Sequence, residues 1–360
     1  MSSQKRAGGR EWQSIEYIGL AVLAIALLGL LVAPQKMGGL FDAMFQKALP
    51  IVAQVFLTGL VGTAIILSVM TGRILERLGL TDALMRVFVP IVGKMGINSS
   101  VVVPGVYNIL GDINAAGRIA GPVLKQSGAT KDEQKIAIAT MVQSQQSFST
   151  FMLGLIAMTA AGIQAFPVVL LGVFAPLVVM PLLLKLTVYR NTRSVTLEDL
   201  PRFTPVQKGA LPTIFGGAKE GAELLFLLII PAVAVVYALI GALEYVGVWQ
   251  VISEALKGVL TALSIDPETG IVAILASPTL AMGNLTKTAA QLDPRLVIGS
   301  FILASSGFPL SVLFGQIPAI WAGISDLSER EALEAAAVGI VLRIATAALM
   351  AVVLTPLVVR

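Results

Sequence analysis

Residues 104–126 read PGVYNILGDINAAGRIAGPVLKQ. Asn108, Asp112, Asn114 and Arg118 stand there among glycines and prolines, in a chain that is otherwise very apolar. Such a segment is costly in hydrocarbon. It is tolerated only where its backbone packs in protein or lines a wet cavity. It is also too short to cross a bilayer twice. Two legs of about 12 residues reach about 18 Å each, against about 30 Å of hydrocarbon. The stretch therefore predicts a re-entrant hairpin that dips to mid-membrane and turns at Gly111-Asp112-Ile113-Asn114.

The rest of the composition agrees with a membrane setting. Apolar residues make up 56% and charged residues 13%, about half the charge of a soluble domain. With a mean hydropathy of +0.88, this describes an all-α polytopic membrane protein. The chain has no Cys and no His, which excludes disulfides, thiol nucleophiles and His proton relays. The net charge of +4 fits positive-inside loops better than nucleic-acid binding. Neither GxxxxGK[ST] nor GxGxxG occurs, so ATP drive from this chain is not expected.

Working outward, residues 1–14 are a basic, cytoplasmic tail and residues 15–34 an extra N-terminal span. A second span is expected at 49–69 and an amphipathic interfacial helix at 75–92. After the hairpin come a span with a polar centre (136–160) and a plain one (166–186). Residues 188–216 carry Arg190, Arg193, Arg202 and Lys208 and read as a cytoplasmic linker. The same order then returns: a span at 222–243, an amphipathic piece at 248–263 and a broken segment at 271–291. An interrupted span at 296–320 and a last span at 332–359 complete it. Two repeats follow, 40–187 and 217–360. Leu75–Gly79 parallels Leu243–Gly247, Gly111-Asp112 parallels Gly283-Asn284, and Ser147-Phe148-Ser149 parallels Gly307-Phe308-Pro309. Three crossings per repeat, an odd number, insert the repeats upside down, with the N-terminus inside and the C-terminus outside. Inverted repeats with a broken segment in each half point to a transporter whose site lies where the breaks meet.

Three groups of side chains are candidates for substrate binding. The first is Asn108, Asp112, Asn114 and Arg118 at the hairpin tip, with Asp112 the candidate for sodium coordination or proton coupling. The structural alternative is an Asp112–Arg118 pair holding the turn. The second is the polar run from Gln143 to Thr150, in which Gln143, Ser147 and Thr150 share a helical face and Gln146 borders it. Interhelical hydrogen bonding is the competing role. The third mirrors these in the second repeat: Asn284, Thr286, Lys287, Ser305, Ser306, Ser311 and Gln316. Lys287 would either neutralise an anionic substrate or snorkel to the interface. Glu220 and Glu223 read as first-turn acids of a helix.

Gly217-Ala218-Lys219-Glu220-Gly221, Gly111–Gly117 followed by Gly121-Pro122, and Ser305-Ser306 with Pro309 and Ile317-Pro318 resemble the nucleoside-recognition, or gate, domain. From about residue 40 onward the chain resembles fused spore maturation proteins A and B, as in YjiH-type membrane proteins. The gate region of ferrous-iron transporter B and the concentrative nucleoside transporters are more distant relatives. The resemblance implies two inverted gate-type repeats and sodium- or proton-coupled uptake in a prokaryotic inner membrane. The expectation is a secondary transporter of a small polar metabolite, nucleoside-like or a small organic anion. It would be no enzyme and need no cofactor beyond Na+ or H+, and homo-oligomerisation stays open. One rival is a non-transporting membrane scaffold acting with a partner complex, which requires a dry, packed centre. Another is an intramembrane hydrolase pairing Lys287 with Ser305 or Ser306.

Overall fold

Local cap chemistry decides where many of the helices start. The computed structural model describes residues 13–110, 113–195, 197, 209–306 and 309–359, with backbone alone at 113–115. α1 (Ser14–Val32) is apolar on all sides and buries no residue, as a lipid-facing helix does. α2 (Pro34–Pro50) runs on through a π-helical turn, Ile51–Leu57, and α3 (Leu60–Arg77) follows after Thr58-Gly59. α2 and α3 do not pack side by side, so they are joined end to end. One long two-part helix thus replaces the expected span at 49–69. Residues 75–77 belong to it. The amphipathic helix, α4 (Leu80–Gly93), therefore begins only after Gly79, whose φ of +83° is cheap only without a Cβ.

Asn98 caps the short turn Ser99–Val102, and the first hairpin follows as α5 (Val103–Leu110) packed on α6 (Ile113–Gln126). Its turn at Gly111-Asp112 lies outside the described residues. α7 (Lys131–Gln143) opens on a capping box in which Thr130 and Glu133 accept from each other's backbone N–H. It breaks off at Ser144, and α8 (Phe148–Ala160) resumes the crossing. α9 (Ala165–Val169), a π turn at Leu170–Phe174 and α10 (Pro176–Thr187) make the next span.

α11 (Ala210–Leu224), a π turn and α12 (Ile230–Tyr245) form one helix of 36 residues, starting inside the stretch read as a linker. At about 54 Å it is far longer than the hydrocarbon is thick. Gly247 (φ +78°) then turns the chain into α13 (Val248–Ala262), which meets α14 (Pro267–Leu275) at 114°. α15 (Pro278–Thr288) completes the second hairpin. α16 (Pro294–Ser305) is followed, past its break, by a π turn at Val312–Gln316, α17 (Ile317–Ile324) and α18 (Glu329–Val358). Asp266-Pro267, Ser277-Pro278 and Asp293-Pro294 each pair an accepting cap with proline at the first helical position.

The second hairpin therefore breaks at Ala276-Ser277, not at Gly283-Asn284 as the local match suggests. Pro278 has no N–H to give and Ser277 caps, whereas Gly283 lies inside α15 with Val61 against it. The legs of this hairpin, 9 and 11 residues, reach only about 14 and 17 Å. It is re-entrant.

The halves are inverted and interlocked. α2 packs on α12 and α3 on α11, so the N-terminal half of each long helix lies along the C-terminal half of the other. Small residues permit this antiparallel approach. A Cβ at Gly221 would meet Ile66 Cα at 2.8 Å, and one at Gly241 would meet the Ala43 carbonyl oxygen at 2.5 Å. Ion pairs mark both ends: Lys47–Glu244 at 2.7 Å, and Arg73 gripping Glu220 with its Nε and Nη2. Glu220 is thus mid-helix and paired, not a first-turn acid. The repeats also exchange parts, since α8 packs on α15 of the second half and α17 on α6 of the first. Five helices of the described residues are long and apolar enough to cross a membrane. The chain is an all-α polytopic membrane protein of two inverted repeats, each with a re-entrant hairpin and an interrupted span.

Candidate functional site

The site is built from the places where helices stop. After Ser144 (ψ 160°) the chain leaves the α-helix and does not return to it until Phe148. The Gln145 side-chain amide holds the gap open by donating to the carbonyls of Gln146 (2.8 Å) and Ser147 (2.9 Å). Ser147 takes φ +65°, a left-handed conformation that a non-glycine residue adopts at a cost of about 1–3 kcal/mol. α8 then starts with its N-terminus toward the middle of the fold. From the other repeat, Ser277-Pro278 starts α15 toward the same place. Hydroxyls join the two starts: Thr279 Oγ1 lies 3.1 Å from Ser149 Oγ and 3.0 Å from Thr150 Oγ1, and Ser149 Oγ lies 2.5 Å from Ser147 Oγ.

A cavity of about 190 Å³ opens at this junction. Gln146, Ser147 and Thr150 line it from the first break, Ser277 and Thr279 from the second hairpin, and Ser311 and Gln316 from the second interrupted span. Ser68 comes from α3, and apolar side chains of the long helices, Val69, Leu228 and Val233 among them, form the opposite wall. No ionisable side chain lines the cavity among the described residues. Its electrostatic character is set by hydroxyls, amides and the positive ends of α8 and α15. One side of the cavity is thus polar and uncharged among the described residues, and the other is apolar.

Of the sequence candidates, Gln146, Ser147, Thr150, Ser311 and Gln316 are brought together here. Gln143 is not. Its side chain donates to the Gly339 carbonyl at 2.6 Å, because unwinding at 144–147 removes the shared helical face. Asn108 is buried against Ser144 Oγ (3.1 Å). Ser305 and Ser306 are buried and donate back to Ile302 and Leu303. Thr286 bonds locally to Gly283, and Asn284, half-buried, does not line the cavity. Arg118 and Lys287 are exposed. Lys287 is therefore no counter-charge in the cavity, and it forms no pair with the buried Ser305 or Ser306. Asp112 and the side chain of Asn114 lie outside the described residues.

Ser68, Ser277 and Thr279 are cavity residues that the sequence reading passed over. For Ser277 the signal was present, a serine directly before proline. Arg343, fully buried in α18, was also missed, although an arginine in the apolar middle of a 30-residue helix is such a signal.

No protein-family model and no curated protein matches this sequence. Solved structures share its fold, two of them as follows. CNTnw, a concentrative nucleoside transporter, in an inward-facing substrate-bound state, superposes with a TM-score of 0.57 at 16% identity, over 95% of this chain and 85% of that one. A double variant of CNTnw in an outward-facing state gives 0.57 at 13% identity, over 95% and 86%.

Proposed function

We propose that the protein is a secondary carrier of a small polar solute, with the cavity at the meeting of α8 and α15 as the solute site. The observation that carries this is the convergence of two half-helix N-termini, one from each inverted repeat, on a single mid-fold cavity. The likeness to a transporter solved in inward- and outward-facing states supports a fold that alternates access. In this reading the long antiparallel helices are the frame, and the hairpins with the interrupted spans are the parts that move past it. The lining, free of charge among the described residues, favours a nucleoside-like molecule or a small organic anion, oriented by Gln146, Thr150, Thr279 and Gln316. Sodium or proton coupling is assigned to the first hairpin tip, with Asp112 as its carboxylate. We place the N-terminus on the cytoplasmic side of a prokaryotic inner membrane, and the YjiH-type gate proteins as nearer kin than the nucleoside carriers. A scaffold role would need a packed centre, which the cavity does not provide.

The test is a thermal-shift screen of purified protein with nucleosides, nucleobases, amino acids and small carboxylates, each with and without sodium. A ligand at a hundredfold excess over its Kd stabilises the native state by about 2.7 kcal/mol. A true ligand loses that shift in Thr150→Val and Gln316→Ala and is taken up by proteoliposomes. A ligand whose shift survives both variants does not use this cavity.

A further inference from the structure

Arg343 is fully buried at the centre of α18, and among the described residues no carboxylate pairs with it. A charge in that position is retained only with strong compensation. Its compensation consists of two backbone carbonyls and one serine hydroxyl, all at places where helices stop or loosen. Nη1 donates to the Gln143 carbonyl and the Gly172 carbonyl, both at 2.9 Å, and Nη2 donates to Ser305 Oγ. Gln143 is the last residue of α7, Ser305 the last of α16, and Gly172 sits in the π turn of the intervening span. The end of α7 therefore turns a carbonyl, the negative pole of its dipole, to the cation, and the end of α16 turns a serine hydroxyl to it. Gln143 returns the contact through its side-chain amide to Gly339, one turn before Arg343. The two breaks also touch directly, Gln146 N donating to the Ser305 carbonyl at 2.9 Å. The Nε finds no acceptor among the described residues, so all of the hydrogen bonding runs through the two terminal nitrogens.

We infer that Arg343 is a tethered cation occupying a cation site made by the C-terminal ends of the two interrupted spans. Freed helix-end carbonyls commonly hold an inorganic ion in broken-helix membrane proteins. Here the chain supplies the charge itself and so locks the two breaks in register. Arg343 is a positioning residue: it sets the geometry of 144–147 and 305–306 without reaching the cavity. This inference rests on the hydrogen-bond geometry alone and stands or falls independently of solute transport.

The experiment is chemical rescue. Arg343→Ala should melt at a lower temperature than wild type by tryptophan fluorescence. Millimolar guanidinium chloride should restore at least half of the lost melting temperature, because the free ion can refill a site whose contacts use only the terminal nitrogens. Urea at the same concentration should not, nor should guanidinium raise the melting point of wild type or of the cavity control Leu354→Ala. If Arg343→Ala does not fold, Arg343→Lys and Arg343→Met decide the matter. The cationic variant should be the more stable and should bring the melting point back toward wild type. Equal effects of guanidinium and urea on Arg343→Ala, or a methionine variant as stable as the lysine one, would overturn the assignment.

Discussion

The seam between α8 and α16 yields a prediction in which one substitution changes sign with its background. Gly154 of α8 faces Phe301 of α16, which is fully buried and stacks obliquely on Phe151 at 6.4 Å. A Cβ at position 154 would lie 2.3 Å from Phe301 Cδ2 and 2.5 Å from Cε2, with Met282 Sδ at 3.5 Å. Gly154→Ala therefore overpacks the seam and should cost about 1–3 kcal/mol, despite the better helix propensity of alanine. Phe301→Ala leaves a void and should cost about 3–5 kcal/mol. In the double variant the new methyl enters that void, the clash disappears and alanine gains up to about 1 kcal/mol of helix propensity over glycine. Gly154→Ala should thus be neutral to stabilising when Phe301 is already alanine, a coupling of about 1–4 kcal/mol. Unfolding in mixed micelles, followed by tryptophan fluorescence across the four proteins, measures it. Identical costs in both backgrounds, within about 0.5 kcal/mol, would refute the close packing of α8 on α16.

Three further outcomes follow from the same geometry. Thr279→Val keeps the shape but removes the hydroxyl shared by Ser149 and Thr150, and should lower stability by about 1–2 kcal/mol in the same unfolding assay; an unchanged midpoint would show that these hydroxyls are not joined. Gly221→Val and Gly241→Val drive a side chain into backbone atoms of α3 and α2 that cannot rotate away, and each should cost at least about 2 kcal/mol. Gly258→Val, where nothing lies within 4 Å, should change stability by less than about 0.5 kcal/mol, and equal effects at the three sites would refute the crossing. Thr130→Ala breaks the capping box of α7 and should cost about 1 kcal/mol, whereas Lys47→Met, at a pair one-third exposed on each side, should cost no more; thermal melts rank the two, and a much larger loss at Lys47 would contradict this.

What the sequence alone determined is what a single turn of backbone can encode. The hairpins, the interrupted spans and the duplicated order were readable because prolines, glycines and polar runs interrupt long apolar stretches. Ser277-Pro278 and Asp293-Pro294 cap locally, and Gly79 and Gly247 turn locally. Gln146, Ser147 and Thr150 stood out because polar groups in an apolar span demand partners. The tertiary structure decided everything that depended on a partner far along the chain. Residues 210–221 resemble a linker and a helix start until Arg73, 147 positions earlier, takes the charge of Glu220 and lets the helix run on. Gln143 shares a face with Ser147 only if the helix is continuous, and the unwinding at 144–147 sends it to α18 instead. Arg343 finds its acceptors 171 and 200 positions earlier, at carbonyls that a sequence window cannot pair with it. Capping, turning and breaking act over three or four residues and are written locally. Desolvated charge and the pairing of helix ends are settled only when the fold brings distant oxygens and nitrogens within hydrogen-bonding distance.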